Sequence, residues 1–165
     1  MKAEDHFHDF AAGRSASLHR SAYLLCGDWY LADDLVQETL AKAYRHWPRV
    51  LRADSPEAYV QRILVNEVRN HWRRQNRTPP SVTGDAPEEA VPDGSEVVAR
   101  NDELVRALLE LPVRQRATLV LRYLDGLSER ETAMVLGCSE GTVKSQTSRA
   151  LTTLKTHIQR EEALP

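Results

Sequence analysis

The chain has 165 residues and a formal net charge of −2, with 41% hydrophobic and 28% charged residues. That length fits one ordinary domain or two small ones and excludes a large multidomain enzyme. Apolar runs are only a few residues long, whereas a membrane-spanning helix needs about 20, and Met1 to His6 lack the apolar stretch of a signal peptide. The sequence therefore predicts a cytoplasmic protein with no membrane partner.

Signatures of cofactors and metals are missing from the sequence. The seven glycines form neither GxGxxG nor GxxxxGKS/T. Cys26 and Cys138 lie far apart, and the pair His6 and His8 belongs to no complete set of ligands. We therefore expect no cofactor, no metal and no catalytic residue, with both cysteines as free thiols.

The N-terminal half is predicted to be helical, because apolar residues recur at intervals of three and four. Ser55-Pro56-Glu57 is a helix start, with Ser as N-cap, Pro at the first helical position and an acid at the positive end of the dipole. The expected elements are one or two helices over about 4–26, a helix over about 29–46 ended by Trp47-Pro48, a loop over about 48–55, and a helix from 56 to about 74.

Charge changes sign abruptly in the middle of the chain. Residues 69–77 hold four arginines and no acid, whereas residues 85–96 hold five acids and no base. Prolines and glycines interrupt the acidic stretch, which no helix or strand interior would accept. We predict a flexible acidic linker over 76–95, between an N-terminal domain (1–75) and a C-terminal domain (96–165).

The C-terminal half is predicted to contain a helix-turn-helix. After helices over about 96–110 and 113–124, Ser128 and Glu131 form a capping box, Gly137 suits a left-handed C-cap, and Ser139 caps the next helix. In that last helix we expect one face to pack inward, namely Val143, Thr147, Ala150, Leu151, Leu154 and Ile158. The opposite face is small, polar and basic, which suits a DNA major groove better than a merely solvated surface.

Two further helix faces allow alternative interpretations from the residues alone. Acidic and amide side chains project from one side of the 29–46 helix, and such a face is usually only solvated. On the 56–74 helix, Arg62, Asn66, Arg69 and Arg73 form one stripe, suited to phosphate contacts or simply to water. Trp47, Tyr59 and Trp72 could stack on unpaired bases or belong to the core.

Four segments, in order along the chain, resemble the sigma-70 family of bacterial RNA polymerase sigma factors. Asp34 to Tyr44 resembles region 2.2, Pro56 to Arg74 resembles regions 2.3 and 2.4, Leu111 to Ala133 resembles region 4.1 running into 4.2, and Leu136 to Ser145 resembles the family's helix-turn-helix. The order, the linker and the missing third domain are similar to the small extracytoplasmic-function (ECF) group, in particular to a subgroup common in actinobacteria.

The resemblance implies an all-α protein of two small helical domains that binds core RNA polymerase and gives it promoter specificity. The contact with the clamp helices of the large subunit would fall to Asp34, Leu35, Gln37, Glu38 and Ala41. Reading and opening of the −10 element would fall to Arg62, Asn66, Arg69, Asn70, Arg73 and Arg74, helped by the loop over about 48–55.

The C-terminal domain would meet the flap region of the polymerase and the −35 element. The residues implied at that element are Thr142, Lys144, Ser145, Gln146, Ser148 and Arg149. Many family members carry an arginine and a bulky residue where this chain has Gln146 and Ser148, so its preferred −35 sequence is expected to differ from theirs. The family also adds an anti-sigma factor as a candidate partner.

A stand-alone helix-turn-helix regulator is the main alternative function. It accounts for residues 128–158 but assigns no role to the 33–44 segment or to the arginine stripe. A small hydrolase or metal enzyme is disfavoured, because no nucleophile–base set or phosphate loop is present in the sequence.

Overall fold

All regular structure is helical in the computed structural model of this protein, which describes residues 2–75 and 102–163. The N-terminal half comprises α1 (Ala3–Cys26), α2 (Trp29–Arg45), α3 (Trp47–Arg52) and α4 (Pro56–Gln75). The C-terminal half comprises α5 (Asp102–Glu110), α6 (Val113–Leu119) with a following π-helical turn (Val120–Leu124), α7 (Glu129–Leu136) and α8 (Glu140–Glu162). The linker predicted over 76–95 lies outside the described residues.

Local capping explains the boundaries of the N-terminal helices. Gly27 ends α1 in the left-handed region at φ 80°, and the Asp28 side chain then accepts hydrogen bonds from the backbone N–H groups of Tyr30 and Leu31. Ser55 Oγ accepts from the Ala58 N–H at 3.1 Å at the start of α4. The expected helix boundaries at 26, 29 and 56 are therefore confirmed.

The loop predicted over about 48–55 is largely wrong, because Trp47 to Arg52 form the short helix α3. Pro48 lies in its first turn, where a missing N–H costs no intrahelical hydrogen bond. The same proline therefore ends α2 and begins α3, and only residues 53–55 stay non-helical.

The two halves pack against each other through the end of α1. Arg116 in α6 is only 2% exposed, and its guanidinium donates to four backbone oxygens: Leu25 in α1 at 2.8 Å, and Leu108, Leu109 and Leu111 at 2.8–3.0 Å. Burial lowers the pKa of Arg116 to about 10. One buried cation thus holds the C-terminal end of α1 to the α5–α6 turn.

A second polar contact joins the halves at the end of the π-helical turn. Ser21 Oγ in α1 lies 2.8 and 3.0 Å from the two carboxyl oxygens of Asp125 and donates to them. Burial raises the pKa of Asp125 to about 6, an effect that the Ser21 hydrogen bond and the nearby Arg20 and Arg14 oppose.

None of the helices among the described residues is long and apolar enough to cross a membrane.

Candidate nucleic-acid interface

The helix-turn-helix is held together by reciprocal hydrogen bonds at its caps. Ser128 Oγ accepts from the Glu131 N–H at 3.0 Å, and Glu131 Oε1 accepts from the Ser128 N–H at 3.1 Å. That backbone hydrogen bond favours the carboxylate and holds the pKa of Glu131 below its usual value. Gly137, at φ 68°, ends α7, and Ser139 Oγ accepts from the Thr142 N–H at 3.1 Å to begin α8. The predicted capping box and glycine turn are confirmed.

The outer face of α8 is free of packing at its N-terminal end. Lys144, Ser145, Ser148 and Arg149 are exposed, while Thr142 and Gln146 are half-buried. Lys144 Nζ lies 3.7 Å from Glu129 Oε2, and such an exposed ion pair is weak enough to exchange for a phosphate. Four of the six residues predicted for the −35 contact are thus exposed, and Thr142 and Gln146 are partly covered.

The prediction that Leu151 packs inward on α8 is wrong. Leu151 is 42% exposed, whereas Val143 and Ala150 are fully buried. At 100° per residue Leu151 lies about 80° around the helix from Val143, at the edge of the buried stripe.

The arginine stripe of α4 is divided between solvent and the C-terminal half. Arg62, Asn66, Arg73 and Arg74 are exposed, whereas Arg69 and Asn70 are half-buried. Arg69 Nη2 donates to the Leu136 carbonyl oxygen of α7 at 3.3 Å. Burial, with smaller contributions from the charges of Arg114 and Arg73, lowers the pKa of Arg69. The centre of the stripe is therefore engaged by the helix-turn-helix.

A buried ion pair fixes the orientation of α4 against α2. Glu67 is 3% exposed and pairs with Lys42 Nζ, which also lies 4.0 Å from Glu38. The opposite side of α4 is thereby turned outward, with the exposed members of its stripe.

The aromatic side chains that could stack on bases differ in exposure. Trp47 is 3% exposed and packs edge-on against Phe7, so it belongs to the core. Tyr59 and Trp72 are half-buried and pack against the same core.

The acidic face of α2 is open along its length. Asp34, Gln37, Glu38 and Ala41 are all exposed. Leu35 is only 6% exposed and lies in the core, so the expectation that its side chain contacts the polymerase does not fit this geometry. A helix presents positions 34, 37, 38 and 41 on one side and turns position 35 about 100° away.

Arg114 and Arg116 are the positions that sequence patterns missed. Both come from the 111–116 segment. Arg116 donates to the Leu25 carbonyl oxygen of α1, 91 positions away, and Arg114 shares a cleft with Arg69 and Arg73 of α4, more than 40 positions away. No local periodicity carries such a signal.

Among the described residues, no group of three His, Cys, Asp or Glu side chains could hold a metal ion.

Two family models match the chain, one in each half. The model described as sigma-70 region 2 matches residues 14–78, and the model described as sigma-70, region 4 matches residues 101–154. Together the matches include α2 to α7 in full, the later part of α1 and most of α8.

Curated relatives match across nearly the whole chain. The RNA polymerase sigma-E factor of Streptomyces coelicolor is 35% identical over 152 residues, covering 92% of this chain and 85% of the relative. The ECF RNA polymerase sigma factor SigL of Mycobacterium tuberculosis is 35% identical over 152 residues, covering 88% and 84% of the two chains.

Solved structures share the same arrangement of helices. The sigma factor RpoE of Bartonella quintana, solved in complex with the anti-sigma factor NepR, gives a TM-score of 0.71 at 24% identity and covers 92% of this chain and 97% of that one. CnrH, solved in complex with the cytosolic domain of CnrY, gives 0.67 at 23% identity, covering 95% and 90%. These matches confirm the predicted all-α fold of two helical parts.

Proposed function

The chain belongs to the ECF group of the sigma-70 family, and from that membership we propose how its own surfaces divide the work of a sigma factor. As such a factor it binds core RNA polymerase and promoter DNA and directs promoter-specific initiation. The observation that carries this conclusion is the pair of matches, to region 2 and to region 4, within one chain. A stand-alone helix-turn-helix regulator would account for the second match only.

The exposed face of α2 is the proposed contact with the clamp helices of the large polymerase subunit. Asp34, Gln37, Glu38 and Ala41 form a continuous acidic and amide surface, and the buried Leu35 supports it from the core. The contact is assigned to this face because an acidic surface can pair with basic side chains across an interface and so fix the register of docking.

The exposed stripe of α4 is the proposed −10 surface. Arg62, Asn66, Arg73 and Arg74 are positioned for phosphates and base edges, and Arg69 and Asn70 join them where α7 is displaced from α4. Opening the duplex costs a few kcal/mol of unstacking per base, which contacts to the extruded bases must offset.

The outer face of α8 is the proposed −35 surface. Lys144 and Arg149 supply positive charge for phosphates, and Thr142, Ser145, Gln146 and Ser148 supply hydrogen-bonding groups for base edges. The domain division that follows is 1–75 for region 2, 76–95 for the linker and 96–165 for region 4, whose polymerase contact is the flap region.

The protein is proposed to act as a binding factor in the cytoplasm, without catalysis of its own. An anti-sigma factor is included as a partner because the Bartonella quintana sigma factor was solved in complex with one.

Run-off transcription from a pool of promoters, with core polymerase, tests the proposal. Starts that appear only when the protein is added are expected, and Asp34→Ala combined with Glu38→Ala should abolish them. Asp9→Ala, an exposed acid on α1, is the matched control and should leave them intact. Starts that persist in the double variant would refute the assignment of α2, and the absence of starts with the parent protein would refute the assignment of function.

The −35 surface is tested separately by salt dependence. Replacing Lys144 or Arg149 by Ala is expected to reduce the salt slope of promoter binding by the holoenzyme by about one if the side chain contacts a phosphate. Arg160→Ala, exposed near the end of α8, should leave the slope unchanged. If Lys144→Ala and Arg149→Ala had the same salt slope as the control Arg160→Ala, the assignment of this face to the DNA contact would be refuted.

A further inference from the structure

A cleft of about 340 Å³ opens between α4 and α6, at the contact between the two halves. Arg69 and Arg73 of α4 and Arg114 of α6 line it, and the remaining lining residues are apolar, including Val68 and Val113. Among residues 2–75 and 102–163, no acidic side chain lines the cleft. Three guanidinium groups from two separate segments of the chain therefore share one small space with an apolar floor.

The three cations lack a counter-charge in the part of the chain that the structure describes. None of them forms an ion pair there, and the hydrogen bond from Arg69 to the Leu136 carbonyl oxygen, at 3.3 Å, is a long one. Burial and then the charges of Arg114 and Arg73 lower the pKa of Arg69. A bound anion would relieve both the repulsion and the desolvation of that guanidinium.

We propose that this cleft binds a small polyphosphate anion, either inorganic diphosphate or the diphosphate group of a nucleotide. Guanidinium groups present paired N–H donors that match phosphate oxygens. Arg73 and Arg114 are exposed and Arg69 is half-buried, so an anion can approach them from solvent. The volume lies at the lower end of the range for small-molecule sites, which suits a diphosphate.

The anion would bridge helices that lie on opposite sides of residues 76–101. By pairing with Arg114 on one side and with Arg69 and Arg73 on the other, it would hold α6 against α4. It would also withdraw two arginines from the stripe proposed for the −10 element. The site itself requires only that the packing of the two halves keeps α4 and α6 side by side, and it does not depend on the promoter contacts.

Thermal unfolding of the full chain at increasing concentrations of inorganic diphosphate, and separately of ADP, tests the proposal. We expect a saturable rise in Tm with at least one of them, since a ligand that binds only the folded state stabilises it. Arg114→Gln and Arg73→Gln should each weaken the apparent affinity by about tenfold or more. A shift with diphosphate identifies the inorganic anion as ligand, and a shift with ADP alone identifies the nucleotide.

Matched controls separate a specific site from general screening. Arg106→Gln, an exposed arginine of α5 outside the cleft, should bind as the parent does. Without any anion, Arg114→Gln should be at least as stable as the parent, because it removes a repulsion from Arg69. The proposal fails if sodium chloride at equal ionic strength gives the same rise. It also fails if Arg114→Gln responds like the parent, or if a short single-stranded oligonucleotide gives the same Arg114-dependent rise.

Discussion

Replacing Arg116 by methionine should remove a buried polar link between the two halves of the protein. The side chain is 2% exposed, and its guanidinium serves four backbone oxygens, one of them from Leu25 in α1. Methionine fills a similar volume but donates no hydrogen bond. The four oxygens would then lose these donors. The Leu108 oxygen still accepts from the Leu111 N–H at 3.1 Å, whereas a buried oxygen left without any partner costs about 1–3 kcal/mol.

In the parent protein, the cost of burying the Arg116 cation offsets part of the stabilisation that its hydrogen bonds provide. Burial lowers the pKa of Arg116 from 12.5 to about 10, which corresponds to a penalty of roughly 3 kcal/mol for the charged state. Four charge-assisted hydrogen bonds contribute roughly 6–12 kcal/mol against it. The difference predicts that Arg116→Met lowers the free energy of unfolding by at least about 3 kcal/mol, and Tm by about 6–12 °C for a chain of this size.

Urea unfolding followed by far-ultraviolet circular dichroism measures this loss. Arg116→Lys should recover only part of the stability, because one ammonium carries three donors for four oxygens. Arg106→Met, at an exposed position of α5, is the matched control and should change the free energy of unfolding by about 0.5 kcal/mol or less. If Arg116→Met lost under about 1 kcal/mol, the proposed role of the guanidinium would be refuted.

Three further substitutions probe the other polar and backbone features of the fold. Burial raises the pKa of Asp125 from 3.8 to about 6, so the folded state binds a proton more tightly than the unfolded state does. The free energy of unfolding should therefore fall by up to about 3 kcal/mol as the pH rises from about 4 through 6 to about 8. Asp125→Asn should abolish this pH dependence in urea titrations. Lys42→Met leaves the carboxylate of Glu67 buried without its partner and should cost about 3–5 kcal/mol in urea unfolding, whereas replacing both residues by Met should cost clearly less. Gly137→Ala forces a side chain into the left-handed region and should lower Tm. Gly141→Ala should not, because that backbone is helical and the new Cβ would meet only Ser139 Oγ at 3.8 Å, an ordinary contact. Equal changes in Tm for the two alanine variants would contradict this account of the turn.

Local signals predicted the helices and the faces of this protein well. The capping box of Ser128 and Glu131 and the left-handed Gly137 predict the helix-turn-helix, because each bond joins residues close in sequence. The exposed polar face of α8 followed from its helical period in the same way. Leu151 shows the limit of that method, since a residue at the edge of the stripe is covered or exposed according to what packs beside it.

Contacts between the halves could not be predicted from the same patterns. Arg116 was one of several arginines in a helical segment, and only the tertiary structure brings the Leu25 carbonyl oxygen, 91 positions away, to its guanidinium. Spacing places Arg69 in the predicted DNA-facing stripe, whereas its hydrogen bond to Leu136 spans 67 positions. Spacing predicts which side of a helix a residue occupies, but the partner on that side is determined by the packing of distant segments.

The contact between α4 and α7 also bears on the order in which the two proposed DNA surfaces become available. The outer face of α8 is exposed as it stands, whereas Arg69 must leave the Leu136 carbonyl oxygen before it can contact DNA. Only molecules in which Arg69 has separated from Leu136 can bind a partner that requires the full stripe. The free energy of this separation therefore weakens the binding free energy of such a partner. Substitutions that weaken the contact between the halves, Arg116→Met among them, should therefore lower the stability of the free protein and increase access to the stripe.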